Sequence, residues 1–325
     1  MAITHEKFLQ KQATLLERTA RALNLQPTEA EALLRIPRQQ SLRLNTLIAP
    51  SSNTLAELAA LNLNIVPAPW CDNGYFCDET IGALRDSPLP EQGSVYIQNA
   101  ASWLPVLALA PQPHEEILDM CAAPGGKTSH LAQMTNNQAI ITANDNSRPR
   151  LHKLQRNLER LGVANVTYAL HDASRLAGRL PVESFDKILL DAPCSGEGMM
   201  TLDDKKAFES WSPAHIKRLQ ALQKRLIVQA WQLLKPGGTL VYSTCTMAPE
   251  ENEAVVDYLL RHNNDCQLES LQHFKEQLPN VALAVSSWNN REFQSSIGNC
   301  LRLTPSQTIE AFFVAKLTKQ PSAAL

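Results

Sequence analysis

Two cysteines lie in short segments whose other residues could make one of them a nucleophile. Cys194 lies in DAPCSGEG, which begins at Asp191, and Cys245 lies in STCT. A free thiol is only a few per cent thiolate near neutral pH, so a nucleophilic cysteine needs an activating group, and Lys127 is a candidate for that positive charge. Taken singly, a cysteine is usually a small buried hydrophobic residue, and Lys127 could lie on the surface. Nucleophilic chemistry therefore requires that the two cysteines and the aspartate come together in the fold.

The segment DMCAAPGGKT (119–128) has the composition of a loop that lies close to a ligand. Its two glycines let the backbone approach the ligand, and the helix predicted to follow supplies free N–H groups. The segment is not a phosphate-binding P-loop, because the GxxxxGK[ST] spacing is missing. A simple tight turn would have the same two glycines. The residues that would contact the ligand are Cys121, Ala122, Ala123, Pro124, Gly125, Gly126 and Lys127.

Two further aspartates follow predicted strands. Asp145 ends the second strand of the predicted sheet, and Asp172 comes just past the third. A carboxylate at such a strand end commonly binds the ribose hydroxyls of a nucleoside. Each acid could instead cap the helix that follows it, and Asn146 and Ser147 could also cap the helix after Asp145. Together with the loop 121–127, the two aspartates predict an adenosyl site along three successive strand ends.

Strands that alternate with long helices would position these residues. The alternation is typical of a parallel α/β sheet, and we predict a doubly wound, mostly parallel one. In such a sheet, ligands bind at the carboxyl ends of the strands, near the point where the strand order reverses. The predicted strands are 115–120, 138–145, 165–170, 185–190, 238–244 and 311–317, and the predicted helices are 128–134, 148–161, 213–234 and 250–261.

Residues 1–92 are predicted to form a small α+β N-terminal domain, and residues 93–325 the domain with the parallel sheet. The boundary lies in SPLPEQGS (87–94), whose composition is typical of a linker. Two helices are predicted within 1–35, followed by a β-α-β unit with strands at 41–48 and 64–69 and a helix at 53–62. The apolar stripe of the first helix is Leu9, Ala13, Leu16, Ala20 and Leu23.

The composition is that of an ordinary folded protein. The 325 residues are 44% hydrophobic and carry 30 basic and 32 acidic side chains, a net charge of −2 that neither supports nor excludes RNA. No stretch approaches the ~20 apolar residues of a membrane helix, and the N-terminus lacks the apolar core of a secretory signal. Seven cysteines without a CxxC pair and eight ungrouped histidines predict reduced cytoplasmic thiols and no metal site.

The motifs resemble those of the Sun (Fmu) family of RNA cytosine-C5 methyltransferases, and among its members most resemble the bacterial small-subunit rRNA enzymes of the RsmF type. The tail of that family usually has glycine before the Phe-Phe pair, where this chain has Ala311. The segments that carry the resemblance to the family are DMCAAPGGKT, DAPCSGEG, WSP (211–213), LLKPGGTLVYSTCT (233–246) and PEENEAVV (249–256), with weaker matches in RLNT (43–46), IQNAAS (97–102) and FFVAKL (312–317). The likeness to the RsmF type is carried by PAPWCDNGY (67–75) and DAPCSGEG.

The resemblance implies a Rossmann-like, S-adenosylmethionine-dependent enzyme that methylates C5 of cytosine in RNA through a covalent bond between a cysteine and C6. Cys245 would be the nucleophile, Cys194 would assist release, Asp191 would hydrogen-bond N3 of the base, and Lys127 would support both steps electrostatically. The cofactor would contact the loop 121–127, with Asp145 at the ribose, Asp172 near the adenine, and Asp191.

The resemblance further implies an RNA substrate, rRNA in the first place and tRNA as the alternative, for a monomeric cytoplasmic enzyme without membrane or metal. A non-catalytic RNA-binding or ribosome-assembly factor is the competing hypothesis, and the intact catalytic residues argue against it. Methyltransferases that act on exocyclic amines usually have an [DN]PP[FY] turn where this chain has DAPC. The residues that could contact RNA are Arg43 and Asn45 in the N-terminal domain and Arg148, Arg150, Lys153 and Arg156 on a basic helix, whose charges could equally be solvated.

Overall fold

The computed structural model describes residues 3–78 and 81–321. The helices are α1 His5–Leu23, α2 Pro27–Leu34, α3 Ser51–Ala60, α4 Ile81–Asp86, α5 Leu89–Gln92, α6 Leu104–Leu109, α7 Gly126–Met134, α8 Arg148–Arg160, α9 Ala207–Ser210, α10 Pro213–Leu233, α11 Glu253–His262 and α12 Gln272–Gln277. The strands are β1 Gln40–Leu44, β2 Ile65–Pro67, β3 Gly74–Cys77, β4 Val95–Ile97, β5 Glu116–Asp119, β6 Ile140–Asn144, β7 Val166–Ala169, β8 Phe185–Asp191, β9 Leu234–Thr244, β10 Cys266–Glu269, β11 Val281–Ala282, β12 Ser287–Trp288, β13 Arg291–Glu292, β14 Leu301–Leu303 and β15 Phe312–Lys319.

The chain divides into two compact units, each assembled from several segments. Unit 1 contains Met1–Arg38, Ala192–Val228 and Tyr242–Leu317, and unit 2 contains Gln39–Asp191, Gln229–Val241 and Thr318–Leu325. Both units are therefore discontinuous in sequence. The division into functional domains 1–92 and 93–325 stays a prediction. Within the described residues, no helix is both long and apolar enough to cross a membrane.

Unit 2 contains the predicted doubly wound sheet. Its strand order is β9, β8, β5, β6, β7, and β5 pairs in parallel with both β6 and β8. The chain adds β6 and β7 on one side of β5 and then returns to add β8 on the other, so the strand order reverses between β5 and β8. The predicted fold class is confirmed, and each of the predicted parallel strands is present with ends shifted by a few residues.

The runs of apolar residues in β5 and β8 are explained by burial on both faces, as parallel strands require. Ile117 and Leu118 of β5 are fully buried, as are the residues 188–190 of β8. Leu154 and Leu158 of α8 lie four residues apart on one helix face and pack against Ala122 and Ala123. Helix α8 thereby holds the loop that follows β5.

The small sheet in unit 2 differs from the predicted β-α-β unit. Its order is β2, β3, β1, β4, and β1 is antiparallel to both β3 and β4. The predicted strand, helix and strand are present as β1, α3 and β2, but the prediction missed the short strands β3 and β4 and extended β1 beyond Leu44. The segment SPLPEQGS is not an open linker either, since it contains α5 and buries Leu89 in the core of this sheet.

Helices α1 and α2 belong to unit 1 and were correctly predicted, but of the predicted apolar stripe of α1 only Ala20 is buried, with Leu16 and Leu23 partly so. Leu9 is 49% exposed, whereas the buried residues of α1 are Phe8, Leu15, Thr19 and Ala20. The buried face is set by Phe8, whose ring packs edge-to-face on Phe208 with 5.3 Å between centroids.

Most strands of unit 1 pair in the antiparallel sense. The strand β14 is antiparallel to β11 and β15, β10 also pairs with β15, and β12 pairs with β13. A buried ion pair crosses this region: Arg302 of β14 makes two 2.8 Å contacts with the carboxylate of Glu253 and donates to the Met247 carbonyl at 3.0 Å. Helix α11 and the segment after β9 are thus fixed to β14.

Candidate active site

A cavity of about 310 Å³ lies in unit 2 at the carboxyl ends of β5 and β8. This is the point where the strand order reverses, and therefore where ligands bind in sheets of this kind. Seven of the residues predicted to contact a cofactor line it: Cys121, Ala122, Ala123, Pro124, Gly126, Lys127 and Asp191. The rest of the lining comes from Tyr96, Ile97, Gln98, Asn99, Ser102 and Asp119.

The two glycines of the loop are both sterically required. Gly125 has φ +107°, and a Cβ there would lie 2.9 Å from the Leu154 side chain. A Cβ on Gly126 would lie 2.9 Å from the Tyr96 ring and 3.0 Å from Gln98 Nε2. The backbone therefore lies directly on two cavity-lining side chains as α7 begins at Gly126.

An ion pair lies at the edge of the cavity. Lys127 Nζ lies 2.7 Å from Asp191 Oδ2, and both side chains are only partly exposed. Asp119, which sequence reasoning missed, is fully buried and accepts a hydrogen bond from Thr128 Oγ1 at 2.7 Å. Burial raises the pKa of Asp119 to about 6. Its place as the last residue of a strand, before a Gly-Gly loop, was the signal available in the sequence.

Asp145, Asp172 and Gly125 do not line the cavity. Asp145 is buried, accepts the Ser147 N–H at 2.9 Å and lies 3.3 Å from the Arg150 guanidinium. Asp172 accepts the N–H and the hydroxyl of Ser174 at 2.9 and 2.8 Å. The capping alternative therefore holds for Asp172, which caps the short helical turn that follows it, whereas the N-cap residue of α8 is Ser147 and not Asp145. Contact of either carboxylate with a cofactor stays a prediction.

The two cysteines that the sequence suggested as partners lie together in unit 1. Cys194 Sγ and Cys245 Sγ are 3.3 Å apart and form no disulfide bond, and both residues are partly exposed. Two backbone hydrogen bonds align their segments: the Ala192 N–H donates to the Ser243 carbonyl, and the Gly198 N–H donates to the Cys245 carbonyl, each at 2.9 Å. A Cβ on Gly198 would lie 2.2 Å from the Ala311 carbonyl oxygen, so only glycine fits there.

Four other cysteines are held as thiols by burial. Burial raises the pKa of Cys71 to about 11 and that of Cys266 to about 12, and it also raises the pKa values of Cys121 and Cys300. A thiol with so high a pKa is a poor source of thiolate near neutral pH. Among the described residues, no group of three or more His, Cys, Asp or Glu side chains is arranged to hold a metal ion.

Comparison with known proteins identifies the family of the chain. The model of the family "16S rRNA methyltransferase RsmB/F" matches residues 106–318. The chain belongs to the RsmB/F family. It is 37% identical over 291 residues to ribosomal RNA small subunit methyltransferase F of Vibrio cholerae, covering 88% of this chain and 59% of that protein. The chain thus spans about three fifths of the length of this relative.

Two archaeal relatives match over nearly their whole length. The tRNA (cytosine(49)-C(5))-methyltransferase of Pyrococcus abyssi is 38% identical over 323 residues, which cover 97% of this chain and 98% of that protein. The crystal structure of NSun6 from Pyrococcus horikoshii with SFG has a TM-score of 0.79 at 25% identity, covering 95% of this chain and 98% of that one. The fold of this RsmB/F family member is therefore that of an RNA methyltransferase family over almost the entire chain.

One of the weaker family matches, IQNAAS (97–102), also contributes to the cavity. Its residues Ile97, Gln98, Asn99 and Ser102 line the cavity, although no site role was predicted for them. The buried Oε1 of Gln98 has no hydrogen-bond partner among the residues that the structure describes. A donor on a bound ligand would satisfy this atom, since buried acceptors are rarely left unpaired.

The predicted RNA contacts of the N-terminal region are wrong. Arg43 is fully buried beneath α7, where it donates to Ser129 Oγ at 2.8 Å and to Gln133 Oε1. Asn45 is also buried and donates to the carbonyls of Gly93 and Leu161. Arg43 therefore fixes the small sheet to α7, Asn45 links it to the residue after α8, and both are inaccessible to RNA. The basic side chains of α8 at 148, 150, 153 and 156 are exposed.

Two buried carboxylates lie among the hydrogen bonds around the cysteine segments of unit 1. Glu197 accepts from Trp211 Nε1 at 3.0 Å, and Glu251 accepts from the Ser195 N–H at 3.0 Å and from Gln223 Nε2 at 2.9 Å. Burial raises the pKa of Glu197, and it raises the pKa of Glu251 from its ordinary 4.5 to about 7.

This shift predicts a pH dependence of stability. The folded protein holds the Glu251 proton more tightly than the unfolded chain does, so the protonated carboxyl adds to the free energy of unfolding. This contribution is fully present below about pH 4.5 and is lost as the pH rises through about 7. The contribution is of the order of 3 kcal/mol, at about 1.4 kcal/mol per pKa unit. Glu251→Gln should remove this decline from the free energy of unfolding, measured by urea denaturation between pH 4.5 and 8.

Glu17→Gln, at an exposed carboxylate, is the control and should leave the slope of the free energy of unfolding against pH unchanged. Equal slopes in wild type and Glu251→Gln would contradict the assignment.

Proposed function

We propose that the protein methylates C5 of cytosine in RNA with S-adenosylmethionine, through a covalent bond between Cys245 and C6 of the base. The observation that carries the proposal is the 3.3 Å distance between the thiols of Cys194 and Cys245 on the two strand-end segments. Membership of the RsmB/F family supports the reaction class, and a family relative acts on C5 of a tRNA cytosine.

The chemistry explains why a nucleophilic sulfur is needed. C5 of cytosine is a poor nucleophile, and addition of the Cys245 thiolate to C6 converts the ring to an enamine whose C5 can attack an electrophilic methyl group. Asp191 hydrogen-bonds N3 and stabilises the protonated base. After transfer, the C5 proton is removed and the C6–sulfur bond breaks, which returns the electron pair to Cys245. Cys194 assists this release.

The cavity in unit 2 is the proposed cofactor site. S-adenosylmethionine, when bound, supplies the electrophilic methyl group. The unpaired Gln98 Oε1, the close backbone at Gly126 and the free N–H groups at the start of α7 fit a ligand that carries both hydrogen-bond donors and a carboxylate. The archaeal relative solved with SFG, an S-adenosylmethionine analogue, supports the same choice.

Within the proposed site, the Lys127–Asp191 ion pair has two functions. The ammonium at 2.7 Å holds the Asp191 carboxylate in one orientation, and it places positive charge at the edge of the cavity. Asp145 is proposed to reach the ribose and Asp172 the adenine.

The RNA substrate must present an unstacked base, which costs a few kcal/mol and least in single-stranded or loop regions. The exposed basic residues of α8 are proposed to contact the RNA backbone. Ribosomal RNA is the favoured substrate because of the family and the Vibrio relative. Transfer RNA is the alternative, favoured by the near-complete coverage of the Pyrococcus abyssi enzyme. A cytoplasmic location belongs to the same proposal.

The nucleophile is tested by trapping. RNA that contains 5-fluorocytidine, mixed with the protein and S-adenosylmethionine, should give an adduct that survives denaturing electrophoresis, because fluorine at C5 cannot leave as a proton does. Cys245→Ala should abolish the adduct, whereas Cys266→Ala, at a cysteine elsewhere in unit 1, should form it normally. An adduct that persists in Cys245→Ala would show that the nucleophile is another residue.

The role of Cys194 is tested on ordinary cytidine RNA. Cys194→Ala should accumulate covalent protein–RNA complex, because addition and methyl transfer proceed while release is slowed. The band is measured on a denaturing gel beside wild type, which should show little of it. If Cys194→Ala and Cys245→Ala are equally inactive and both free of adduct, the two cysteines do not have separate roles.

The substrate is identified by bisulfite sequencing of total RNA from a deletion strain and its parent. Loss of a 5-methylcytosine at one rRNA position is the expected result, and loss in a tRNA would establish the alternative. Re-expression of the wild-type chain should restore the mark, and Cys245→Ala should not. Identical methylation in the two strains would contradict the proposed activity.

A further inference from the structure

The backbone on both sides of Cys194 is held by two buried side chains that no step of the proposed reaction uses. Gln223 Nε2 of α10 donates to the Pro193 carbonyl at 2.8 Å. Glu251 accepts the Ser195 N–H at 3.0 Å, and its other oxygen accepts the Ser195 hydroxyl. Gln223 and Glu251 are themselves hydrogen-bonded at 2.9 Å. The peptide groups before and after Cys194 are therefore fixed to one rigid pair.

The same network reaches the residue after Cys245. Ser195 Oγ and Thr246 Oγ1 are 2.7 Å apart, and Thr246 also lies 3.2 Å from the Glu197 carboxylate. Trp211 Nε1 holds the second oxygen of Glu197 at 3.0 Å. The segments that carry the two thiols are thus joined by side chains as well as by the backbone.

This network is buried, and stability alone does not explain it. Gln223 and Glu251 are fully buried, and Thr246 and Glu197 are nearly so. The Oε1 atom of Gln223 has no hydrogen-bond partner among the described residues, a loss that typically costs about 1–3 kcal/mol. An apolar core at this place would avoid that cost. The retained polar pair is explained if orientation of the segment around Cys194 matters more than the stability lost.

We propose that Glu251 and Gln223 are positioning residues that set the place of Cys194 relative to Cys245. They act through Pro193, Ser195 and Thr246 and touch neither thiol in any contact described above. The expected effect on catalysis rests on the proposed function. The effect on the distance between the two thiols does not depend on RNA. Positioning by Glu251 also gives a role to PEENEAVV, the quoted motif that the reaction itself leaves unused.

The effect on the distance between the two thiols is tested by oxidation of the intact protein. Diamide oxidises two thiols to a disulfide while its N=N bond is reduced and takes up both protons, and the Cys194–Cys245 peptide is quantified by mass spectrometry. Since misplacement by about 1 Å can slow a reaction between two groups ~100-fold, Glu251→Ala and Gln223→Ala should form it at least about tenfold more slowly than wild type. Glu251→Gln should stay close to wild type, because the amide oxygen can accept from Ser195 and Gln223 while its NH₂ donates to Ser195 Oγ.

Asp257→Ala is the matched control. Asp257 is a fully buried carboxylate on α11 whose hydrogen bonds run to Arg261, Arg291 and the Gln294 N–H. Its loss should lower the melting temperature without changing the rate of disulfide formation. Slowing in Asp257→Ala equal to that in Glu251→Ala would reduce the network to a general structural role, and unchanged rates in both Glu251→Ala and Gln223→Ala would overturn the proposal.

The catalytic consequence is tested with ordinary RNA. Glu251→Ala should accumulate covalent protein–RNA complex as Cys194→Ala does, with kcat lowered about tenfold or more and KM for RNA little changed, and Glu251→Gln should restore release. If wild type forms no adduct even with 5-fluorocytidine RNA, the proposed function fails while the diamide result still decides the positioning role. Turnover in Glu251→Ala that equals wild type, with normal disulfide kinetics, would contradict both parts of the inference.

Discussion

The proposed chemistry depends on a short distance between two sulfur atoms in unit 1, and backbone hydrogen bonds hold the two segments that carry them. Each cysteine follows a strand, and hydrogen bonds from Ala192 to Ser243 and from Gly198 to Cys245 bring the two strand ends into register. Gly198 has to be glycine for this, since a Cβ would collide with the Ala311 carbonyl. The thiols can therefore keep their 3.3 Å separation without a covalent bond or a metal ion to hold them.

The carboxylates of Asp191, Glu197 and Glu251 have different surroundings. Asp191 lies beside an ammonium, which suits a group that must carry charge near a ligand. Glu197 and Glu251 have no such cation at hydrogen-bond distance in the contacts described, and burial raises the pKa of each. Three contacts link Glu251, Ser195, Thr246 and Glu197 in series, while the two hydroxyls provide only two hydrogens. A proton on one carboxyl supplies the third, which agrees with the raised pKa values.

The parallel sheet and the meeting of the cysteines were predictable because both follow from periodicity and topology. Apolar runs of strand length separated by helices predict a doubly wound sheet, and strand ends on one edge predict that Cys194 and Cys245 converge. The small sheet was not predictable in the same way, since β3 and β4 have four and three residues and gain their identity from pairing with β1. Arg43 shows the same limit: its charge suggested RNA, whereas tertiary contacts bury it under α7.

Five residues of the motif DAPCSGEG each have a separate role at the end of β8 or in the turn that follows it. Asp191 pairs with Lys127, Cys194 presents its thiol, and Ser195 joins the hydrogen-bond network. Glu197 receives the Trp211 indole, and Gly198 packs against backbone. Only the first two of these residues could be assigned chemistry from their side chains. The other three residues determine where the thiol lies. Their role comes from their contacts in the fold and not from their reactivity, so the sequence alone does not reveal it.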